Sequence, residues 1–181
     1  MVVAPYLDTL LLLMVCAAAI TDLQSRRIPN RLLLAGMLGA LVLRLLSPAP
    51  LTALLGWLGG AALGLVLFLP FYLLRGMAAG DVKMMAAVGA FTGPGDALYI
   101  AILAWCVGGV MALAVIVCKG RLRLALANIW AILRPMLLHL PRGPAPGSPG
   151  QPGAGTIPYG VAIAVGTVVL LVGRYGPAPP V

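Results

Sequence analysis

Residues 51–74 read LTALLGWLGGAALGLVLFLPFYLL, an apolar run without a single charged side chain. A helix needs about 20 such residues to cross the ~30 Å hydrocarbon core of a bilayer. A barrel strand needs about half as many and alternates polar with apolar positions, so this run reads as a spanning helix. Segments near 4–22, 31–47, 96–118 and 156–173 meet the same test well or nearly. Residues 82–93, VKMMAAVGAFTG, form a shorter apolar helix closed by the breaker Gly93-Pro94-Gly95. The expectation is an all-α, polytopic membrane protein of about six transmembrane helices joined by short connections.

Composition agrees. Hydrophobic residues make up 62% of the 181-residue chain and charged ones 9%, with mean hydropathy +1.08. A soluble domain is about 25% charged, so this chain belongs in a lipid bilayer. The length suits one domain, residues 1–181. Twelve Lys and Arg against four Asp and Glu give a net charge of +8. In a soluble protein that excess would suggest nucleic acid, but no basic patch here is interleaved with exposed aromatics. In a membrane protein it marks the cytoplasmic face. Arg26, Arg27 and Arg31 follow the first span, Arg75 and Lys83 flank the junction before the fourth helix, and Lys119, Arg121, Arg123, Arg134 and Arg142 follow the fifth. Alternation puts all ten on one side and leaves only Arg44 and Arg174 for the other. Both termini then face away from the cytoplasm. No Lys or Arg precedes residues 4–22, so that run reads as a retained span rather than a cleaved signal.

Residues 121–140, RLRLALANIWAILRPMLLHL, carry bases and Asn128 within an apolar pattern, which predicts an amphipathic helix on the cytoplasmic surface, kinked or ended at Pro135. Residues 141–155, PRGPAPGSPGQPGAG, predict a flexible cytoplasmic linker. Trp130 is the tryptophan best placed as an interfacial anchor, and Met84 and Met85 read as packing residues. Cys16, Cys106 and Cys118 lie in apolar runs without C-x-x-C spacing, which excludes a zinc ribbon, and His139 has no second ligand nearby. No metal or cofactor is expected.

With so few charges, every acid at membrane depth is a candidate for chemistry. Asp8 and Asp96 fall at the outer ends of their helices, Asp96 as an expected N-cap. Asp22 closes the first span and Asp81 opens the fourth helix, so the topology sets both at the cytoplasmic ends and at one depth. The plain alternative is that Asp22 neutralises Arg26 or Arg27 and Asp81 caps a helix. If the two meet, a pair of carboxyls sharing one proton can activate water and polarise a peptide carbonyl. Gly80, beside Asp81, would let a substrate backbone come close. Lys83 is expected to snorkel to the interface. Pro29-Asn30 is expected to punctuate the turn into the second span, with Asn30 as its N-cap.

The pairing of ITDLQSRRIPN, residues 20–30, with GMAAGDVKMMAAVG, residues 76–89, resembles the prepilin peptidases, intramembrane aspartic proteases of the GxGD type. Ile157-Pro158-Tyr159-Gly160-Val161-Ala162 matches the Pro-(Tyr/Phe)-Gly segment that opens that family's last helix. The resemblance implies that Asp22 and Asp81 hydrolyse one peptide bond in a type IV prepilin or pseudopilin precursor. Cleavage would follow a Gly, at the cytoplasmic face of a bacterial inner membrane. Ala78, Gly80, Lys83, Pro29, Asn30, Pro158, Tyr159 and Gly160 are the candidates for site-shaping or substrate-binding roles. Larger members carry a cytoplasmic insertion with four zinc-binding cysteines, linked to N-methylation of the product. Only Leu23–Asn30 stands there in this chain, which resembles the short branch serving Flp/Tad-type pili, and no methyltransferase activity is expected. Ala78 departs from the first Gly of GxGD. The competing reading, which Ala78 favours, is a catalytically silent membrane component of a pilus or type II-like secretion assembly. A proton-coupled transporter fits less well, because both acids lie at one depth rather than along a path.

Overall fold

A computed structural model describes residues 3–74, 76–120 and 158–175. The described residues form six helices: α1 (Val3–Ser25), α2 (Asn30–Leu45), α3 (Pro50–Leu73), α4 (Ala79–Thr92), α5 (Pro94–Cys118) and α6 (Tyr159–Tyr175). No strand occurs among them. Three helices, α1, α3 and α5, are long and apolar enough to cross a membrane, and α6 is a shorter apolar helix of 17 residues. The expectations for residues 121–140 and 141–155, including Trp130 and His139, fall outside the described residues, as does Arg75. By contact the chain divides into two compact units. One holds α1–α4, α5 as far as Gly108, and α6; the described part of the other is the remainder of α5 from Gly109 and the turn after it.

Local sequence explains the boundaries. Pro50 opens α3 and Pro94 opens α5, at first-turn positions where a missing N–H costs nothing. Between α4 and α5 stands only Gly93, whose φ of 83° suits a residue without Cβ. Pro29, with φ −64° and ψ 124°, leads into α2 from an extended conformation.

The centre of the first unit is α4. It has 14 residues, which at 1.5 Å per residue is about 21 Å of rise, well short of the hydrocarbon core. It packs against α1, α2, α3 and α6, and Asp81, Val82 and all of Met84–Phe91 are buried. Its tightest neighbour is α3. Gly60 and Gly64 of α3 face Gly89 and Met85 of α4 backbone to backbone, so a Cβ on Gly60 would collide with the Gly89 carbonyl and one on Gly64 with that of Met85. Lipid tails are as apolar as leucine, and small residues that let two backbones touch hold membrane helices together by dispersion.

The end of the bundle where α4 finishes carries Arg44, Arg174, Asp8 and Asp96. Arg44 of α2 donates to the Phe91 carbonyl at 2.7 Å and to the Ala53 carbonyl at 3.4 Å, setting a cation at the negative end of α4. Arg174 of α6 pairs with Asp8 of α1 at 2.9 Å and with Asp96 of α5, while the Tyr175 hydroxyl donates to Asp8 at 2.8 Å. Asp96 therefore corrects an expectation. It lies in the first turn of α5 rather than at its N-cap, and its carboxylate serves Arg174. Arg44 thus bonds to the end of α4 opposite Asp81, and Arg174 pairs at the end of α1 opposite Asp22.

Candidate functional site

Three helix ends build the site. Asp22 stands in the last turn of α1, Asp81 in the first turn of α4, and Gly160 is the second residue of α6. Both aspartates are 6% exposed. Ionisable groups removed from water to this degree need fixed polar partners. The Gly160 N–H, 138 residues along the chain, donates to Asp22 Oδ2 at 2.9 Å. The positive end of α6 thus points at that carboxyl. A Cβ on Gly160 would lie 2.9 Å from Asp22 Oδ2 and 3.2 Å from its Cβ and Cγ, so any other residue there would have to push the carboxyl aside. Asp81 accepts from the Ala78 N–H at 3.3 Å, closing the first turn of α4. Part of the plain reading is therefore correct: Asp81 does cap its helix. It also lies within electrostatic reach of Asp22 and of Tyr159.

Tyr159 is held by packing. Its ring lies against Gly108 of α5, where a Cβ would come within 2.6 Å of the hydroxyl oxygen, and meets Phe68 of α3 edge-on at 6.1 Å. Phe68 in turn stacks on Trp105 of α5 at 6.0 Å. Pro158 accepts the Val161 N–H at 3.1 Å and so starts α6.

The other residues singled out above fall at the rim. Asn30 is the first residue of α2 and makes no N-cap bond; Pro29 holds the cap position. The Asn30 side chain instead accepts from Lys83 Nζ at 3.1 Å, so the lysine ties α2 to α4. Ala78 is exposed, with φ −79° and ψ 151°, a backbone conformation open to any residue. Gly80 does not face an empty cleft: the nearest atoms to its missing Cβ belong to Ile28, at 3.5–3.7 Å. Sequence reasoning passed over Ile28, Gly108 and the Gly160 amide. The Pro-Tyr-Gly motif pointed at Gly160, but nothing local marks its partner 138 residues away. Among the described residues, no three His, Cys, Asp or Glu side chains gather closely enough to hold a metal ion.

These features define a polytopic helical membrane protein with two buried carboxyls gathered at one end of its bundle. The chain belongs to the type IV leader peptidase family, whose model matches residues 9–113 and so takes in both Asp22 and Asp81. Membership assigns it to the peptidases. No curated protein and no solved structure matches it.

Proposed function

We propose that the protein is an aspartic endopeptidase that removes the short basic leader of a Flp-type prepilin or pseudopilin, cutting after Gly. The whole chain acts as one membrane peptidase domain of a bacterial inner membrane, with residues 141–155 as a linker and the aspartates on the cytoplasmic side. The observation that carries this reading is the burial of Asp22 and Asp81 within electrostatic reach of each other, inside the segment matched by the family.

Two carboxyls that share one proton divide the work between them. The ionised one takes a proton from water as the oxygen attacks the scissile carbonyl carbon, and the protonated one donates a hydrogen bond to the carbonyl oxygen. A tetrahedral intermediate forms. It collapses when the C–N bond breaks and the amide nitrogen receives a proton from the pair. No cofactor enters these steps, and without the cysteine-bearing insertion the product is left unmethylated. Lipid is the second partner, since the apolar helix of the precursor enters from the bilayer.

The test is co-expression with a Flp-type precursor, followed by intact mass. Loss of the leader after Gly is the expected result; an intact precursor beside well-expressed protein contradicts it. The same assay yields two further results. Gly160→Ala should slow cleavage at least ~10-fold at unchanged membrane level, because displacing a reacting group by a fraction of an ångström is costly. Gly173→Ala, in the same helix with nothing within 4 Å, should not. Ala78→Gly should change the rate less than about threefold, since the Ala78 methyl is exposed and its backbone unstrained. A gain of tenfold or more would mean that the methyl obstructs the site, and would favour the silent-component reading.

A further inference from the structure

The segment joining α1 to α2, Arg26 to Pro29, is exposed except for Ile28, which is only 9% exposed. This strap is fastened at both ends. On one side the Arg26 N–H donates to the Asp22 carbonyl at 2.9 Å and the Ser25 hydroxyl to the Arg27 carbonyl at 3.2 Å. On the other, Asn30 is held by Lys83 at 3.1 Å. Between these fixings Ile28 turns inward onto the bare flank of Gly80. Its Cβ, Cγ1 and Cδ1 lie 3.5, 3.6 and 3.7 Å from the position a Cβ on Gly80 would take. Gly80 immediately precedes Asp81, so a branched side chain borders the flank of the glycine beside the acid.

Resting on the peptidase reading above, we propose that Ile28 is a specificity-determining residue: it walls off the space beside Gly80 and Asp81, so that the substrate residue supplying the scissile carbonyl must lack a side chain. That carbonyl has to reach the two carboxyls, which brings the substituent on its α-carbon toward the residues beside Asp81. Ile28 already stands at van der Waals distance from that flank, so a side chain on the substrate brought against it would have to displace the isoleucine, and interiors packed at protein density give way only at a cost. The Lys83–Asn30 bond keeps the strap, and hence the wall, in place. One set of interactions thus accounts for Ile28, Pro29, Asn30 and Lys83, none of which touches the reacting atoms.

The experiment compares two precursors, one with Gly before the scissile bond and one with Ala there. Each is processed by the wild type, Ile28→Val and Ile28→Ala, with rates normalised to membrane level. Wild type should cut the Gly precursor at least ~100-fold faster than the Ala precursor, a discrimination within reach of steric exclusion. Ile28→Ala should reduce that ratio to about tenfold or less, with Ile28→Val between. A purely structural role would lower both rates together and leave the ratio unchanged. An unchanged ratio in either variant overturns the proposal, as does a wild type that cuts both precursors alike. The valine variant removes a single methyl and carries the comparison if the alanine variant does not accumulate. A wild type that cuts neither precursor overturns the peptidase reading itself, a different result from a ratio that fails to move.

Discussion

Asp22→Asn and Asp81→Asn should each lower leader removal at least ~1000-fold while the protein stays in the membrane at wild-type level. The amide is nearly the same size as the carboxyl, and its oxygen can still accept the bonds that hold these side chains, from Gly160 at 2.9 Å for position 22 and from Ala78 at 3.3 Å for position 81. What the amide loses is the proton exchange on which the division of labour depends. The two losses should be alike, and the double variant no worse than either single one, because groups that act as a unit are not additive. If either substitution leaves the rate within tenfold, the aspartate is a helix cap or a charge partner and no more. If both leave pilus or secretion function intact in the cell, the silent assembly component is the better account.

The second large effect concerns stability. Gly60→Ala should lower the thermal midpoint of the detergent-solubilised protein by an amount equivalent to ~1–3 kcal/mol. Gly95→Ala should leave the midpoint unchanged or raise it slightly. Alanine is the better helix former, worth about 0.5–1 kcal/mol over glycine in a helix interior such as position 60 and less in a first turn such as position 95, so propensity alone opposes neither change. The difference lies in the surroundings. Nothing lies within 4 Å of a Cβ on Gly95, whereas one on Gly60 meets the Gly89 carbonyl and the Gly93 Cα. Because α4 carries Asp81, separating it from α3 should also reduce cleavage more than the stability loss alone implies. Equal midpoints for the two variants would mean that α3 and α4 are not in backbone contact.

Much of this architecture was legible along the chain, because an apolar run long enough to cross a bilayer leaves few alternatives. The stretch 51–74 matches α3 to within a residue at each end. What escaped was pairwise. Gly60 and Gly64 stand four apart in an ordinary apolar helix, and only α4 lying across them shows that they are required. Asp96 and Asn30 read as N-caps because a polar residue after a breaker favours that role. Each side chain found a stronger partner on another helix, Arg174 for Asp96 and Lys83 for Asn30. Ile28 looked like one more residue of a basic loop, although it covers Gly80. Asp22 and Asp81 stood out because charges are scarce in this chain, whereas the Gly160 amide carries no sequence signal of its own.

The most direct test of the central claim is sufficiency. Purified protein would be reconstituted into liposomes with a purified Flp-type precursor and nothing else, and the precursor followed by intact mass. Release of the leader after Gly by the wild type, and none by Asp22→Asn or Asp81→Asn, is the expected result. A precursor that stays whole beside folded wild-type protein, yet is processed in the cells it came from, would contradict it and leave this chain as a component that another peptidase requires.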